Sequence, residues 1–262
     1  MEKNKSVGIE IPILYEDKNC LFINKPAGLS VHGDGKTPEY TIADWIIENY
    51  PKLKDIGEPL TLKIRGEELT IPKPGMMHRL DKETSGVLLI AKTQKAYDFF
   101  KTQFQDRLIK KIYHCFVYGW VKEDSQTIDR PIGRSGGDIR KWVADNSARG
   151  VLREAVTEIS VLQRFGNKVY DGKGSTDEGV YSFVEARPKT GRTHQIRVHL
   201  RYINHPIVSD SLYAPKRSEA LGFERLALHA RELEVELPTG KILKVEAPYP
   251  KDFKNALTLA KA

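Results

Sequence analysis

The alternation of apolar and polar positions divides the chain into strands, interrupted by a few helices and by long polar connections. Near the start, ILYEDKNCLFINKPAG reads as a hairpin. One strand covers ILYED, Lys18 and Asn19 turn, and the strand CLFINK ends at Pro26 and Gly28. TIADWIIENY predicts a helix capped by Thr41, with Ile42, Trp45, Ile46 and Tyr50 at helical spacing and Pro51 as its stop. TLKI and ELTI alternate about Arg65 and Gly66, the pattern of a small hairpin, and GVLLIAK is a strand. In TQKAYDFFKTQFQDRLIKK, Thr93 caps a helix whose apolar face is Ala96, Phe99, Phe100, Phe104 and Leu108. KIYHCFVYGWV has two mostly apolar faces, as a central strand does.

Farther on, IGRSGGDIRKWVADNSARG, residues 132–150, has no clear period and reads as a long functional loop or an ordered excursion. AVTEISVLQRF and VYSFVEARP are strands on either side of a polar tip, GNKVYDGKGSTDEG. Thr190 to Thr193 turn into a helix, HQIRVHLRYI, with Ile196, Leu200 and Ile203 inward and Arg197 and Arg201 sharing another face. RLALHARELEVELPTGKILKVEAPY gives two strands around Pro238, Thr239 and Gly240. There is no internal repeat, low-complexity tract or dividing linker. An α+β protein is expected, with one domain over residues 1–262.

Composition narrows the class. A chain of 262 residues with 40% hydrophobic content can bury a proper core. Lys and Arg number 42 against 35 Asp and Glu, a net charge of +7 that either favours an anionic partner or merely aids solubility. Cys20 and Cys115 sit in apolar settings, which suits reduced thiols and a cytoplasmic location. No apolar stretch approaches the ~20 residues of a membrane span, and the N-terminus has no signal-like apolar region, so an untargeted soluble protein is expected.

Most chemistries then fail on spacing. His194 and His199 lie five positions apart, which on a helix turns them about 140° from each other, unlike a helical zinc pair. No Cys-x-x-Cys, HExxH, EF-hand loop, P-loop or GxGxxG is present, so neither a metal nor a nucleotide cofactor is expected. Ser85 is not in a nucleophile elbow, and Cys115 lies in an expected core strand. MMHRLDKETSG remains, with His78, Arg79, Asp81, Lys82 and Glu83 crowded against a strand. An acid beside a guanidinium stays ionised in a partly dry site and can act as nucleophile or base; a surface ion pair at a strand end is the plainer alternative. A second cluster, ARPKTGRTHQIRVHLR, carries Arg187, Lys189, Arg192, Arg197 and Arg201 with no Asp or Glu, the composition of a phosphate-contacting surface. Together they point to an enzyme or module acting on nucleic acid.

The motifs also carry a family resemblance. HRLDKETSG resembles the signature of the RluA family of RNA pseudouridine synthases, usually HRLDxxTSG. INKPAGLSVH resembles that family's early Lys-Pro loop, KKIYHCFVYG its central Tyr strand, TGRTHQIRVHL its basic motif and HPIVSDSLY the segment after it. LALHAREL and EAPYPKDF resemble its closing strands, so the likeness runs from about residue 15 to about residue 255. It implies the pseudouridine synthase fold, a mainly antiparallel mixed sheet with flanking helices and loops around a basic RNA-binding cleft. It also implies cofactor-free conversion of uridine to its C-glycoside isomer.

By resemblance, Asp81 is the essential aspartate, which either attacks C1′ or removes a C2′ proton to give a glycal. Arg192 pairs with it, Tyr113 stacks on the target base, and Arg79 fills the hole left by the flipped nucleotide. His78 is a loop-ordering residue, and Lys82 and Glu83 are solvated. The partner implied is a structured rRNA or tRNA stem-loop bound by a monomer; the alternative is a catalytically silent RNA-binding module of the same fold. Two departures stand out. SDSLYA, Ser209 to Ala214, lacks the usual Gly before Asp and Gly after Tyr, which affects the local turn. Only about fourteen residues precede YEDKNCLF, too few for the S4 domain of many relatives, so recognition is expected to rest on the catalytic domain, helped by the 132–150 and 166–179 stretches.

Overall fold

A computed structural model describes residues 9–35, 37–64, 67–166, 169–170, 175–176, 179–217 and 219–259. The chain forms two compact units, Met1–Lys110 with Glu232–Pro248, and Lys111–Arg231 with Tyr249–Ala262. In the first unit, β1 (Ile13–Glu16) and β2 (Cys20–Lys25) make the expected antiparallel hairpin, with Tyr15 opposite Phe22. Asp17 closes it, its Oδ1 accepting the backbone N–H groups of Asn19 at 2.7 Å and Cys20 at 2.8 Å. Helix α1 (Ile42–Asn49) starts at Thr41 in a reciprocal capping box: Thr41 Oγ1 accepts the Asp44 N–H, and the Asp44 carboxylate accepts the Thr41 N–H. Pro51 opens a single 3-10 turn where the pattern places the stop.

Strands β3 (Leu60–Ile64) and β4 (Glu67–Ile71) pair as predicted, their turn at Arg65 and Gly66 lying outside the described residues. β5 (Ser85–Ala91), buried at every position, pairs with β2. Helix α2 (Gln94–Gln105) begins on Thr93, whose Oγ1 accepts the Ala96 N–H at 3.1 Å, and it buries Ala96, Tyr97 and Phe100. Its predicted face is one residue too long. Arg107 takes a left-handed φ of 60°, which throws Leu108 off the helix, where it is 64% exposed.

The second unit begins within β6 (Lys110–Tyr118), followed by β7 (Ser125–Asp129), β8 (Ile132–Ser135), β9 (Trp142–Val143) and β10 (Ala148–Arg153). The 132–150 stretch is thus an ordered excursion, a small sheet in the order β10, β8, β9. β11 (Val156–Phe165) pairs with β7 on one side. β12 (Val169–Tyr170) and β13 (Ser175–Thr176) form a short ladder in the polar tip, most of which lies outside the described residues. β14 (Tyr181–Pro188) joins β11 to β6, antiparallel to both. Helix α3 (Gln195–Tyr202) turns Ile196 and Leu200 into a core that includes Phe116, Phe183, Phe223 and Phe253.

β15 (Leu228–Glu236) belongs to the second unit up to Arg231 and to the first from Glu232 on, where it pairs with β16 (Ile242–Glu246). Leu233, Val235 and Val245 join Phe22, Leu89 and Phe100 in the first unit's core. The chain closes with α4 (Lys251–Leu259), so PKDF, expected within a closing strand, instead opens a helix. Phe253 and Ala256, three apart and both fully buried, carry its inner face. The class is the expected one, mixed α+β with mainly antiparallel pairing. No helix among the described residues is long and apolar enough to cross a membrane.

Candidate active site

Arg79 and Asp81 lie in the first unit, on the segment between Gly75 and β5, which is pinned at several points. Gly75 has φ +64°, and its carbonyl accepts the Ala91 N–H at 2.9 Å. A Cβ there would stand 2.2 Å from the Ala91 carbonyl oxygen, so only glycine lets the chain pass this close to β5. Met76 and Leu80 are buried anchors. Between them His78 accepts the Leu89 N–H at Nε2, at 2.9 Å, and its ring stacks on Phe104 at 4.6 Å. That is the loop-ordering role, with the ring proton on Nδ1.

The anchors leave Arg79 exposed and Asp81 half-exposed. Arg79 Nη1 lies 3.5 Å from His32 Nε2, and His32 Nδ1 donates to the Gly33 carbonyl. Burial first, then the charges of Arg79 and Lys73, hold His32 below the ordinary imidazole range against the effect of that carbonyl. The Asp81 carbonyl accepts the Thr84 N–H at 3.0 Å, closing a turn over Lys82 and Glu83. Lys82 pairs with Glu39 at 2.6 Å at the surface.

The other side of this turn meets Lys25, a residue the sequence reasoning left unassigned. The Lys25 side chain is fully buried, and its Nζ donates to the carbonyls of Pro26 (2.8 Å), Leu29 (2.7 Å) and Lys82 (3.0 Å). A buried ammonium is tolerable when its donors are satisfied, and here it ties the Lys-Pro loop to the Asp81 turn. The Gly28 N–H adds a bond to the same Lys82 carbonyl at 2.9 Å. The signal in the sequence was a lysine at the end of CLFINK, a run otherwise almost wholly apolar.

Tyr113 and Arg192 lie in the second unit, at one end of the ladder between β6 and β14. Tyr113 is half-buried opposite Ala186, and six residues beyond Ala186 the chain reaches Arg192. Gln195 fixes the intervening turn: its Oε1 accepts from Thr190 Oγ1 at 2.6 Å and from the Arg192 N–H at 3.0 Å. Its Nε2 donates to the Val156 carbonyl and to Thr157 Oγ1, both at 3.0 Å. This buried amide, also missed in the sequence, accounts for the sharp entry into α3. His194 caps the helix in a left-handed conformation, φ 55°, its Nδ1 3.0 Å from the Tyr213 hydroxyl. Arg192 is half-exposed, with Nε donating to the Glu154 carbonyl at 2.9 Å.

The cationic segment needs correction. Its carboxylate partners lie outside the segment: Arg187 pairs with Glu185, immediately before it, and Lys189 with Glu158 at 2.8 Å. Arg197 is buried and bidentate on Asp210, Nε to Oδ2 and Nη2 to Oδ1, each at 2.8 Å. Three of the five cations are therefore occupied within the fold, and Arg197 and Arg201 do not share a phosphate-facing surface. Ser209, where the resemblance leads one to expect Gly, takes φ 55°, donates its hydroxyl to the Phe223 carbonyl at 2.8 Å and its N–H to the Tyr118 hydroxyl at 3.1 Å, so its contacts tie this turn to β6 and to the segment before β15. Among the described residues no group of three or more His, Cys, Asp or Glu could hold a metal ion.

Residues 19–202 match the family described as RNA pseudouridylate synthase, more than half of the chain. The chain belongs to this family. An RNA pseudouridine synthase of Synechocystis is 36% identical over 250 residues, 95% of this chain and 68% of that protein. Ribosomal large subunit pseudouridine synthase D of Pseudomonas aeruginosa is 34% identical over 263 residues, 96% of this chain and 72% of that protein. The solved structure of human RNA Pseudouridylate Synthase Domain Containing 4 is similar with a TM-score of 0.68 and 27% identity, covering 95% of this chain and 92% of that one. The resemblance carried by HRLDKETSG and the motifs around it is thereby met. The chain is an RNA pseudouridine synthase, an isomerase acting on RNA.

Proposed function

We propose that Asp81 is the carboxylate on which this pseudouridine synthase depends, acting on a uridine flipped out of its RNA. The glycosidic bond inside a base stack is inaccessible, so the nucleotide must leave the stack at a cost of a few kcal/mol, offset by stacking and basic contacts. In this reading Asp81 attacks C1′ or takes the C2′ proton, Arg192 pairs with it, Tyr113 stacks on the base, and Arg79 enters the vacated space. No cofactor is needed, since the isomerisation moves one bond within one nucleotide. The observation that carries the assignment is the pinned loop. Gly75, His78 and the Lys25 ammonium hold a half-exposed carboxylate beside a fully buried strand, the preorganisation a reacting group requires.

Ribosomal RNA is the substrate we favour, because the Pseudomonas aeruginosa relative is named for the large ribosomal subunit. A cytoplasmic location fits Cys20 and Cys115, both buried thiols whose pKa values are pushed up chiefly by burial, and we read the protein as a monomer. The test is to map pseudouridines in ribosomal and transfer RNA from cells lacking this protein, and from the same cells given wild type or Asp81→Asn. One or more sites should vanish on deletion and return only with wild type. Return with Asp81→Asn would refute the assignment, and loss confined to transfer RNA would refute the substrate.

A further inference from the structure

A cavity of about 950 Å³ lies wholly within the second unit, between β9, the last turn of α3 and the segment after Tyr213. Its rim carries Lys141, Arg201, Lys216 and Arg217, and its walls include Trp142 and Tyr202. The sole carboxylate among its lining residues, Asp145, accepts from the Ser147 N–H at 2.8 Å. None of the four cations forms an ion pair among the described residues, in contrast to Arg187, Lys189 and Arg197. Like charges around one cavity repel one another until an anion enters. Trp142 has Arg134 at 4.6 Å and Tyr202 has Arg130 at 5.3 Å; neither arginine lines the cavity, so each backs its ring from outside.

We propose that this pocket docks a nucleotide of the RNA strand outside the target uridine, its phosphate among the four cations and its base against Trp142 and Tyr202. The choice of RNA rests on the family's activity; the pocket itself rests on its own chemistry, cations with aromatic rings, which is how single strands are held without base readout. Its position fits. Arg192 precedes α3 and Arg201 lies in its last turn, and a helix of eight residues is about 12 Å long, so the cationic rim stands away from the Arg192 end, while Val198 and Tyr213, which bonds His194, carry the wall back toward it. The pocket also gathers the 141–145 part of the long excursion and Arg201, the α3 arginine that forms no ion pair among the described residues and acts on Asp145 only by its charge.

The probe is a fluorescein-labelled dodecauridylate, titrated at several salt concentrations. Arg201→Glu with Lys216→Glu should raise its Kd at least about tenfold and flatten the salt dependence by about one to two contacts. Tyr202→Ala should weaken binding at least about fivefold through lost stacking. Lys254→Glu, an exposed reversal on α4, should change Kd less than about twofold. Thermal unfolding checks that each variant folds, and Arg201→Gln with Lys216→Gln repeats the test without reversal. Binding lost equally in Lys254→Glu, or unchanged in Tyr202→Ala, would overturn the proposal. The probe reads binding and not isomerisation, so a failure of the catalytic reading and a failure of this pocket give different results.

Discussion

His199 has no exposed surface, and both ring nitrogens are engaged. Nδ1 lies 2.9 Å from Thr157 Oγ1, and Nε2 lies 3.0 Å from the Arg130 carbonyl. The carbonyl can only accept, so Nε2 carries the proton and Nδ1 accepts from the threonine, which in turn accepts from Gln195. A second proton would break this chain. Burial accordingly holds the His199 pKa below its ordinary value of 6.5, and His32 is shifted the same way. Between the folded and unfolded values the unfolded chain binds more protons, so stability is full above about pH 6.5 and falls as the pH drops below it. Urea unfolding at pH 7.5 and pH 5 should show this loss, and His199→Gln, which keeps the donor to Arg130, should show less of it. Equal losses in the two proteins would contradict the assignment. Nothing near His199 in the sequence announces the network, because Thr157 and Arg130 lie far along the chain.

At the scale of elements, local chemistry was legible wherever it was local. Thr41 and Thr93 cap as read, because a cap needs only its own next three residues. Leu108 was misplaced because apolar spacing continues past the point where Arg107 turns left-handed. Helix α3 shows the larger limit: Arg197 reads in the sequence as a phosphate contact, and in the structure it is paired with Asp210, thirteen residues on. Replacing one member of a buried pair leaves the other charge uncompensated. Arg197→Met should therefore cost roughly 3–5 kcal/mol in urea unfolding. If Arg197 were a phosphate contact, the same variant would keep its stability, bind RNA more weakly and lose part of the salt dependence.

The division into two units was not legible in the sequence. The chain passes between them after Lys110, Arg231 and Pro248, the first two crossings falling inside strands and none marked by a glycine- or serine-rich linker. The residues proposed for the site divide in the same way: Arg79 and Asp81 in one unit, Tyr113 and Arg192 in the other. Each pair was readable from a short motif, HRLDKETSG for the first unit and the Tyr strand with TGRTHQIR for the second, whereas Lys25 and Gln195, which fix those motifs in place, were not. Their importance lies in the carbonyls and hydroxyls they meet, and those are contributed by distant segments. Asp81 is the proposed group on which the whole molecule's activity depends. Large-subunit ribosomal RNA transcribed with uridine tritiated at C5 tests that most directly, since forming the new bond at C5 expels the label. Wild type should release tritium into water steadily, and Asp81→Asn, folded and binding RNA, should release none above background; equal release from the two proteins would contradict the account.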